Sequence, residues 1–346
     1  MRTPVSVGVA GLDDWGIRVA RVFSELPRAE LRWLCDGAGD VPRRTRLVPP
    51  FARRTDRVAD LLEDEMLDAV VVATPLKSRT ELVRRALEAG KHVLTRSPMT
   101  VDGADADDLA RLAEQGNLRL LAGSDLLFEP SVQRLKDLIE LGRLGDVNYL
   151  YAGRHRNLYE SIDALWAVAA LDVPVVQHLL GDEPIEVWAR GESYVGDGPV
   201  DVVFCHLRFA SGICAHLHAS SLEPRSVGRL TVVGSERLAV LHETDLEHRL
   251  LVHERARRSN GPAVVQTQIY DDSVLGGWND PLHRECEYFL TAVRTTVEHS
   301  LGRQGASVVN VLEALARSLE SGGTECVRQG TAIAQVAELS ERRVRD

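Results

Sequence analysis

The sequence predicts an α/β protein of two domains, a doubly wound parallel sheet followed by an α+β domain with a large, mainly antiparallel sheet. Strands alternate with helices up to about residue 123, and long strands of alternating apolar and polar residues dominate after it. A chain of 346 residues also has the length expected for two domains. We therefore expect a first domain at residues 1–123 and a second at residues 124–346.

The first domain is predicted from short apolar strands with helices between them. Strands are expected at residues 5–10, 31–35, 69–73, 92–95 and 118–122. Helices are expected at residues 17–26, 57–62, 80–89 and 104–115. Gly90 and Gly116 follow the last two helices, as glycine often does at a helix C-terminus. This alternation predicts parallel strands joined by crossover helices.

The second domain is predicted to begin with a helix at 131–141, a strand at 147–153 and an apolar, mainly helical segment at 165–180. Six strands with period-two alternation are expected at residues 200–209, 213–220, 229–233, 238–241, 250–253 and 264–270. Helices at 281–297 and 307–320 follow, and we expect them to cover one face of this sheet.

Charge and composition narrow the classes of function. The net charge of -10 argues against a nucleic acid or an anionic membrane as the partner. No apolar stretch approaches the ~20 residues of a membrane helix, and the first residues do not have the long apolar core of a signal peptide. The five cysteines are dispersed, without C-x-x-C spacing. This pattern predicts reduced thiols and a cytoplasmic protein.

A glycine turn follows the first strand and indicates dinucleotide binding. The fingerprint of that function is G-x-G-x-x-G between a strand and a helix, with an acidic residue about 20 positions further on. Gly11 and Gly16 supply the first and third glycines, and Asp36 ends the second strand, where it favours NAD over NADP. Asp13 stands in place of the second glycine.

Asp13 leaves two interpretations of this turn open. A side chain here takes space that the pyrophosphate needs, and a carboxylate about 4 Å from a phosphate charge costs on the order of 4 kcal/mol at an effective dielectric constant near 20. Either a cation neutralises Asp13 and a dinucleotide binds, or the turn only packs the helix against the strand and no cofactor binds.

Segments along nearly the whole chain match one family in order and spacing. In the first domain they are a VAG turn that ends at Gly16, VATP at 72–75 and AGKHVL at 89–94. In the second they are LGDV at 144–147, AHLHAS at 215–220, LTVVGS at 230–235, and residues 282–289 and 308–319. With these segments the sequence resembles the Gfo/Idh/MocA oxidoreductases, mostly NAD(P)-dependent dehydrogenases of sugars and cyclitols.

The resemblance implies a nicotinamide cofactor and a sugar- or polyol-like substrate. The implied cofactor positions are Gly11, Asp13, Trp15, Gly16, Asp36, Thr74, Pro75, Arg96 and Pro98. The family usually has Glu-Lys-Pro where this chain has Arg96, Ser97 and Pro98. In the family that lysine contacts the substrate and tunes proton transfer, so Ser97 occupies a catalytic position.

The family also has an aspartate, followed four residues later by a catalytic histidine and a second aspartate. The corresponding residues here are Ala167, Leu171 and Asp172, so only Asp172 is retained. A base within hydrogen-bond reach of a reacting hydroxyl is worth roughly 10²–10⁴-fold in rate. Serine, alanine and leucine do not supply one, so we do not expect dehydrogenation through the family's usual groups.

Further polar residues are expected at the same cleft, which we predict to contain Arg96, Ser97, Asp125, Glu129, Arg154, His155 and Asp172. Arg96 either binds an anionic group of a substrate or pairs with Asp13 and closes an empty cofactor groove. His155 and Asp172 are a candidate acid/base pair, and the alternative for His155 is a solvated loop position. Three aromatic residues, Tyr151, Tyr159 and Trp166, either line an apolar pocket or pack in the core.

A histidine cluster is predicted on the second sheet. A hairpin that turns at residues 210–212 places His206 opposite His216, with His218 on the same face. Three imidazoles suit zinc, but the family resemblance implies that this open face forms a dimer. The opposite face is apolar and suits helix packing, with Val203, Cys205, Leu207, Phe209, Ile213, Ala215 and Leu217. We therefore expect no metal and a homo-oligomer.

These observations leave functions of two classes. The first is an enzyme that acts on a small sugar- or polyol-like molecule, either as an NAD- or NADP-dependent oxidoreductase with atypical catalytic groups or as a non-redox lyase, cyclase or isomerase that needs no nicotinamide. The second is a non-catalytic homologue that binds or regulates a partner. Fold alone does not choose between them.

Overall fold

The computed structural model describes residues 4–37, 51–156, 163–243, 249–255, 265–270, 280–295 and 301–329. The chain divides into two compact units. The first consists mainly of Met1–Asp125 and Asp280–Val309, and the second mainly of Leu126–Asn279 and Asn310–Gln329. Both units have the predicted architecture, a parallel sheet in the first and a mostly antiparallel sheet in the second.

Six parallel strands form the sheet of the first unit. They are β1 (Val5–Ala10), β2 (Ala29–Cys35), β3 (Arg53–Thr55), β4 (Ala69–Val72), β5 (His92–Arg96) and β6 (Leu120–Gly123). Their order in the sheet is β3-β2-β1-β4-β5-β6. The helices are Asp14–Glu25, Val58–Leu62, Leu76–Glu88 and Gly103–Gln115. Strand order reverses between β1 and β4, and in open α/β sheets ligands bind outside the carboxyl ends of the strands at such a point.

A helix from the end of the chain belongs to the first unit and corrects the predicted domain division. Helix Pro281–Arg294 buries Leu282, Cys286 and Phe289 in the same hydrophobic core as β1. The helix Leu301–Ser321 begins in this unit as well, with Gly302 against Ala110. The predicted boundary at residue 123 lies next to the division at Asp125, but residues 280–309 pack with the first unit instead of the second because their apolar side chains complete its core.

Nine strands form a mixed sheet in the second unit. They are β7 (Val147–His155), β8 (Pro184–Glu192), β9 (Val202–Phe209), β10 (Cys214–Ser220), β11 (Val227–Gly234), β12 (Arg237–His242), β13 (Leu250–Arg255), β14 (Val265–Tyr270) and β15 (Glu325–Cys326). The order is β14-β13-β12-β11-β7-β10-β9-β8-β15. Among these described pairs only β7 and β10 run parallel. The helices Pro130–Glu140 and Ala170–Leu180 belong to this unit, the second preceded by one π-helical turn, Leu165–Ala169.

The predicted apolar face of this sheet is confirmed by burial. Six of the seven residues expected there, Val203, Cys205, Leu207, Phe209, Ala215 and Leu217, are buried, and Ile213 at the hairpin end is half-buried. All five cysteines are free thiols. Among the described residues, no helix combines the length and the apolar character needed to cross a membrane.

Candidate functional site

At two positions of the turn after β1, the backbone leaves room only for glycine. Gly11 has a φ of 97°, and a Cβ built on it would lie 2.3 Å from the carbonyl oxygen of Ala73. A Cβ on Gly16 would lie 2.3 Å from the carbonyl oxygen of Gly11. Both residues must therefore lack a side chain. The helix Asp14–Glu25 begins in close contact with the backbone that follows β1 and β4.

Asp13 is the N-cap of that helix. Its Oδ1 accepts a hydrogen bond of 2.7 Å from the amide of Gly16. Aspartate is favoured at this position because its oxygen satisfies an amide without an intrahelical partner and its charge complements the helix dipole. Phosphates bind to the same amides in dinucleotide-binding folds. Asp13 thus occupies one of the donors that a pyrophosphate would use.

Arg96 stacks on Trp15 instead of closing the turn. Its guanidinium carbon lies 5.8 Å from the centroid of the Trp15 ring, a cation–π arrangement. Among the ion pairs of the described residues, none joins Arg96 to Asp13. The alternative in which these two residues pair and close the groove is therefore wrong for this structure. Trp15 is buried and Arg96 is exposed, so the cation lies at the surface of the turn.

Arg79 is a buried cation that the sequence did not single out. Its guanidinium donates hydrogen bonds to the carbonyl oxygens of Thr74 at 3.0 Å, Arg96 at 3.2 Å and Pro98 at 2.5 Å. These bonds join the segments that follow β4 and β5. Burial and the charge of Arg96 lower the pKa of Arg79 to about 10, against the opposing effect of Asp13. In sequence, Arg79 looks like any polar residue of a surface helix.

The edge of the first sheet also contains polar groups that suit a ligand. Asp36 is buried directly after β2, as predicted. The hydroxyl oxygens of Thr74 and Ser97, after the neighbouring strands β4 and β5, are buried, and no described residue forms a hydrogen bond with either oxygen. Because buried polar atoms are nearly always paired in folded proteins, these two point to a polar ligand. The two predicted prolines flank them, with Pro75 exposed and Pro98 buried.

A buried carboxyl group at the end of β6 was not predicted. Glu285, on helix Pro281–Arg294, is only 1% exposed, and a Cβ on Gly123 would lie 2.4 Å from its Oε1. Burial raises the pKa of Glu285 to about 8. Asp125 adds to this rise, whereas Arg96 and the backbone amide of Ser124 oppose it. The predicted site residue Asp125 therefore has a titratable neighbour.

In the second unit, Asp172 and Arg154 form a buried ion pair. Nε and Nη2 of Arg154 lie 3.0 and 2.8 Å from Oδ1 of Asp172, and Arg154 also pairs with Glu243. Burial opposes the charge of Arg154, but the two carboxylates outweigh it and raise its pKa. Glu129 pairs with Arg249 at 2.7 Å. All five side chains line one pocket of this unit, together with apolar residues such as Leu126 and Val175.

His155 and Asp172 do not form the predicted acid/base pair. Successive residues of a strand project to opposite faces of the sheet. Arg154 therefore faces Asp172, while Nε2 of the next residue, His155, lies 3.3 Å from Nδ1 of His218 on the other face. The alternative of a loop position is also wrong, because His155 is the last residue of β7.

The helical segment 165–180 presents an accessible side without titratable groups at the positions that the resemblance marks. Ala167 and Leu171 are half-buried, whereas Asp172 is 4% exposed and faces Arg154. Of the three aromatic residues considered for a pocket, the two that the structure describes are not core residues: Tyr151 is 41% exposed and Trp166 is half-buried. Tyr159 lies outside the described residues.

The predicted register of the histidine hairpin is confirmed. His206 lies opposite His216, with ring centroids 4.6 Å apart, and His218 stacks on Phe204 at 4.4 Å. Burial, followed by the neighbouring imidazole, lowers the pKa of both His206 and His218. In the part of the chain that the structure describes, no three His, Cys, Asp or Glu side chains have an arrangement that could hold a metal ion.

A parallel sheet with this strand order, a glycine turn after β1 and an acidic residue after β2 define the class of dinucleotide-binding Rossmann proteins. The family model described as "Oxidoreductase family, NAD-binding Rossmann fold" matches residues 5–124. The model of the "GFO/IDH/MocA C-terminal domain" matches residues 132–240. The chain belongs to the Gfo/Idh/MocA family of oxidoreductases.

Two curated relatives are similar to most of the chain. The myo-inositol 2-dehydrogenase of Thermotoga maritima is 27% identical over 218 residues, which are 60% of this chain and 65% of that protein, slightly less than two thirds of its length. The UDP-N-acetylglucosamine 3-dehydrogenase of Acidithiobacillus ferrooxidans is 28% identical over 232 residues, 66% of this chain and 70% of that protein.

Solved structures show the same fold over nearly the full length. The structure of the Acidithiobacillus enzyme has a TM-score of 0.78 and 23% identity, and the match covers 92% of this chain and 99% of that chain. GenD2 from gentamicin A biosynthesis, solved in complex with NAD, has a TM-score of 0.81 and 22% identity, with 95% of this chain and 98% of that chain covered.

Proposed function

We propose that this chain binds a nicotinamide dinucleotide, NAD in preference to NADP, and is an oxidoreductase of a small sugar- or polyol-like molecule. The observation behind the proposal is the turn in which neither Gly11 nor Gly16 has room for a Cβ, next to the buried Asp36. Membership of the family and the names of the two curated relatives support the reaction class and the substrate class.

The groups at the edge of the first sheet fit such a cofactor with one exception. The carboxylate of Asp36 suits the hydroxyls of an unphosphorylated ribose, and the Thr74 and Ser97 hydroxyls suit polar groups of the ligand. The exposed guanidinium of Arg96 suits a phosphate. Asp13 is the exception, because its carboxylate takes the Gly16 amide. When bound, the cofactor would supply the hydride acceptor.

Proton transfer in this proposal does not use the family's lysine and histidine. Ser97 and Leu171 stand at those positions, and Asp172 is held by Arg154 in a buried ion pair. The Arg154 guanidinium donates two hydrogen bonds to Oδ1 of Asp172, so this carboxylate is already engaged by a cation of the chain. The proton acceptor must therefore be another group of the chain.

Thermal unfolding with each of NAD⁺, NADH, NADP⁺ and NADPH tests the proposal. A ligand at 100 times its dissociation constant adds about 2.7 kcal/mol to the free energy of unfolding. We expect a larger shift with NAD(H) than with NADP(H), and tighter NAD(H) binding by the Asp13→Gly variant. The Asp14→Asn variant removes a neighbouring charge without freeing the Gly16 amide, and we expect it to bind like the unmodified chain.

The same experiment decides between the proposal and a second function. The second function is that of a non-redox enzyme or a non-catalytic homologue that binds no dinucleotide. The hydrogen bond between Asp13 and the Gly16 amide favours it, because the amide is satisfied without a phosphate. Absence of any shift, in both the unmodified chain and Asp13→Gly, would rule out the redox proposal and favour the second function.

We also propose that the open face of the second sheet forms a homo-oligomer. This face presents Phe204, which is 51% exposed, together with Tyr151 and the three hairpin histidines. Exposed aromatic clusters are typical of interfaces. Sedimentation velocity of the full chain should show an oligomer that the Phe204→Asp variant reduces to a monomer, and a monomeric unmodified chain would contradict the assignment.

A further inference from the structure

The ends of β5 and β6 contain a group of buried polar atoms to which the proposed function gives no role in proton transfer. Ser97 Oγ, Ser124 Oγ and Glu285 Oε1 are buried, and no described residue forms a hydrogen bond with any of these atoms. The amide of Ser97 donates to the carbonyl oxygen of Gly123 at 2.8 Å, and Gly123 lies against the Glu285 carboxyl group. The three groups therefore lie around one glycine.

We propose that Asp125 and Glu285 form an acid/base pair in which Glu285 holds a proton in the interior and Asp125 presents a carboxylate to the ligand. Glu285 is then a positioning residue, and Asp125 is the group that contacts the substrate. The proposal rests on the proposed function only for the identity of the hydroxyl whose proton Asp125 accepts. The pair itself depends on this chain's own residues.

The surroundings of Glu285 explain why it holds a proton. An isolated carboxylate in the interior is strongly unfavourable unless a cation pairs with it, and no ion pair among the described residues includes Glu285. Two neighbouring carboxyl groups also resist being ionised together. Of the two, Asp125 is half-buried and Glu285 is buried, so burial disfavours the ionised form of Glu285.

The charged and titratable groups around Glu285 come from three elements. Asp125 follows β6, Arg96 ends β5, and Cys286 is the next residue of the same helix. Asp125 favours protonation of Glu285, whereas Arg96 favours its ionisation. Burial raises the pKa of the Cys286 thiol well above its ordinary value, so the thiol stays neutral and adds no charge beside Glu285.

Asp125 can accept and pass on a proton with water as the final acceptor. The O–H bond of the ligand breaks as an O–H bond forms on Asp125, the electron pair of the broken bond stays on the ligand oxygen, and Asp125 then gives the proton to water. Because Glu285 is neutral in this proposal, the carboxylate of Asp125 carries the single negative charge of the pair. The position at the carboxyl end of β6 is where ligands of open α/β sheets bind.

Infrared difference spectroscopy of the full chain, titrated from about pH 5 to about pH 10, tests the pair directly. We expect the C=O stretch of a protonated carboxylic acid at neutral pH, which disappears with a midpoint at about 8. The band should be absent from Glu285→Gln and present in Glu287→Gln, a matched change at a half-buried position of the same helix. No Glu285-dependent band at pH 7 would overturn the proposal.

Two further variants leave Glu285 in place and test the coupling. Asp125→Asn removes a negative neighbour and should lower the midpoint by about one pH unit, whereas Arg96→Gln removes a positive neighbour and should raise it. Unchanged midpoints in both variants would overturn the pairing, even if Glu285→Gln fails to fold. These spectra need no cofactor, so failure of dinucleotide binding refutes the proposed function and leaves the pair standing.

Discussion

Asp172 in the second unit and Glu285 in the first are both buried carboxyl groups, but their surroundings are opposite. Asp172 receives two hydrogen bonds from the Arg154 guanidinium, whereas Glu285 has no cation partner among the described ion pairs. Burial alone therefore does not decide the charge of a carboxyl group. A guanidinium stabilises the ionised form, and in the absence of a cation a proton takes its place.

This comparison changes which residue is the better candidate for proton transfer. The family resemblance implies a role for Asp172, but its carboxylate forms a buried ion pair with Arg154. The resemblance assigns no role to Asp125 or Glu285, but in the proposed pair they provide a carboxylate and a proton in one place. The presence of an acidic residue at a family position therefore does not mean that its side chain is available for proton transfer.

The largest expected loss of stability comes from removing the cation that pairs with Asp172. Arg154→Met leaves Asp172 without its cation in the interior and should reduce the free energy of unfolding by about 3–5 kcal/mol, measured by urea denaturation. The double variant Arg154→Met, Asp172→Leu should recover part of this loss, because no buried charge remains in that pair. A loss below about 1 kcal/mol in the single variant would contradict the conclusion that Asp172, unlike Glu285, depends on a cation partner.

The unpaired carboxyl group of Glu285 should make the free energy of unfolding depend on pH. Glu285 ionises near 4.5 in the unfolded chain but at about 8 in the folded one. Between these values the folded state binds the extra proton, so its stability falls as the pH rises and levels off above about 8. Glu285→Gln should remove a slope of up to about 1.4 kcal/mol per pH unit, measured by urea denaturation across this range. An identical slope in the variant would contradict the assignment.

Replacement of Asp13, an exposed helix-capping residue, should change the free energy of unfolding less than the variants that affect the buried Asp172 and Glu285. Asp13→Ala removes the hydrogen bond to the Gly16 amide and should cost about 1 kcal/mol of stability, measured by thermal unfolding without a ligand. Asp13→Ser retains a capping oxygen, so its stability should remain close to that of the unmodified chain. Equal losses in the two variants would show that the cap is not the source of the effect.

The smallest effect is expected for a carboxylate paired at the surface. Glu186 and Arg208 lie opposite each other on β8 and β9, with a contact of 2.6 Å between Oε2 and Nη2, and their side chains are 35% and 44% exposed. Arg208→Gln should change stability by about 0.2–1 kcal/mol, less at high salt. A cost comparable to that of Arg154→Met would mean that exposure does not separate these ion pairs.

Much of the fold could be predicted because its signals are local. The apolar run of β1, the glycines of the turn and the alternation of β9 and β10 each lie within a few residues. Residues 53–55 and 184–192 form β3 and β8, two strands that are not apparent in the sequence. β3 has three residues and β8 contains proline and glycine, so neither has a clear apolar pattern of its own.

The candidate site was only half predictable, since much of it depends on contacts between distant segments. Asp13 and Asp36 follow from the positions of strands and turns, and Ser97 follows from the resemblance to the family. Glu285 lies in a polar helical stretch, and its burial arises from contact with Gly123, far away in sequence. For the same reason nothing in the sequence separates Arg79, which binds three backbone carbonyls, from a solvated arginine.

The contact between Gly123 and Glu285 links two positions that are distant in sequence. A Cβ at residue 123 would lie 2.4 Å from Oε1 at the end of the Glu285 side chain, so a residue gained there would displace the carboxyl group and favour a shorter side chain at residue 285. Within this branch of the family, substitutions at the two positions should therefore appear together. That covariation would mark the members that share the interior proton, whatever compound each of them transforms.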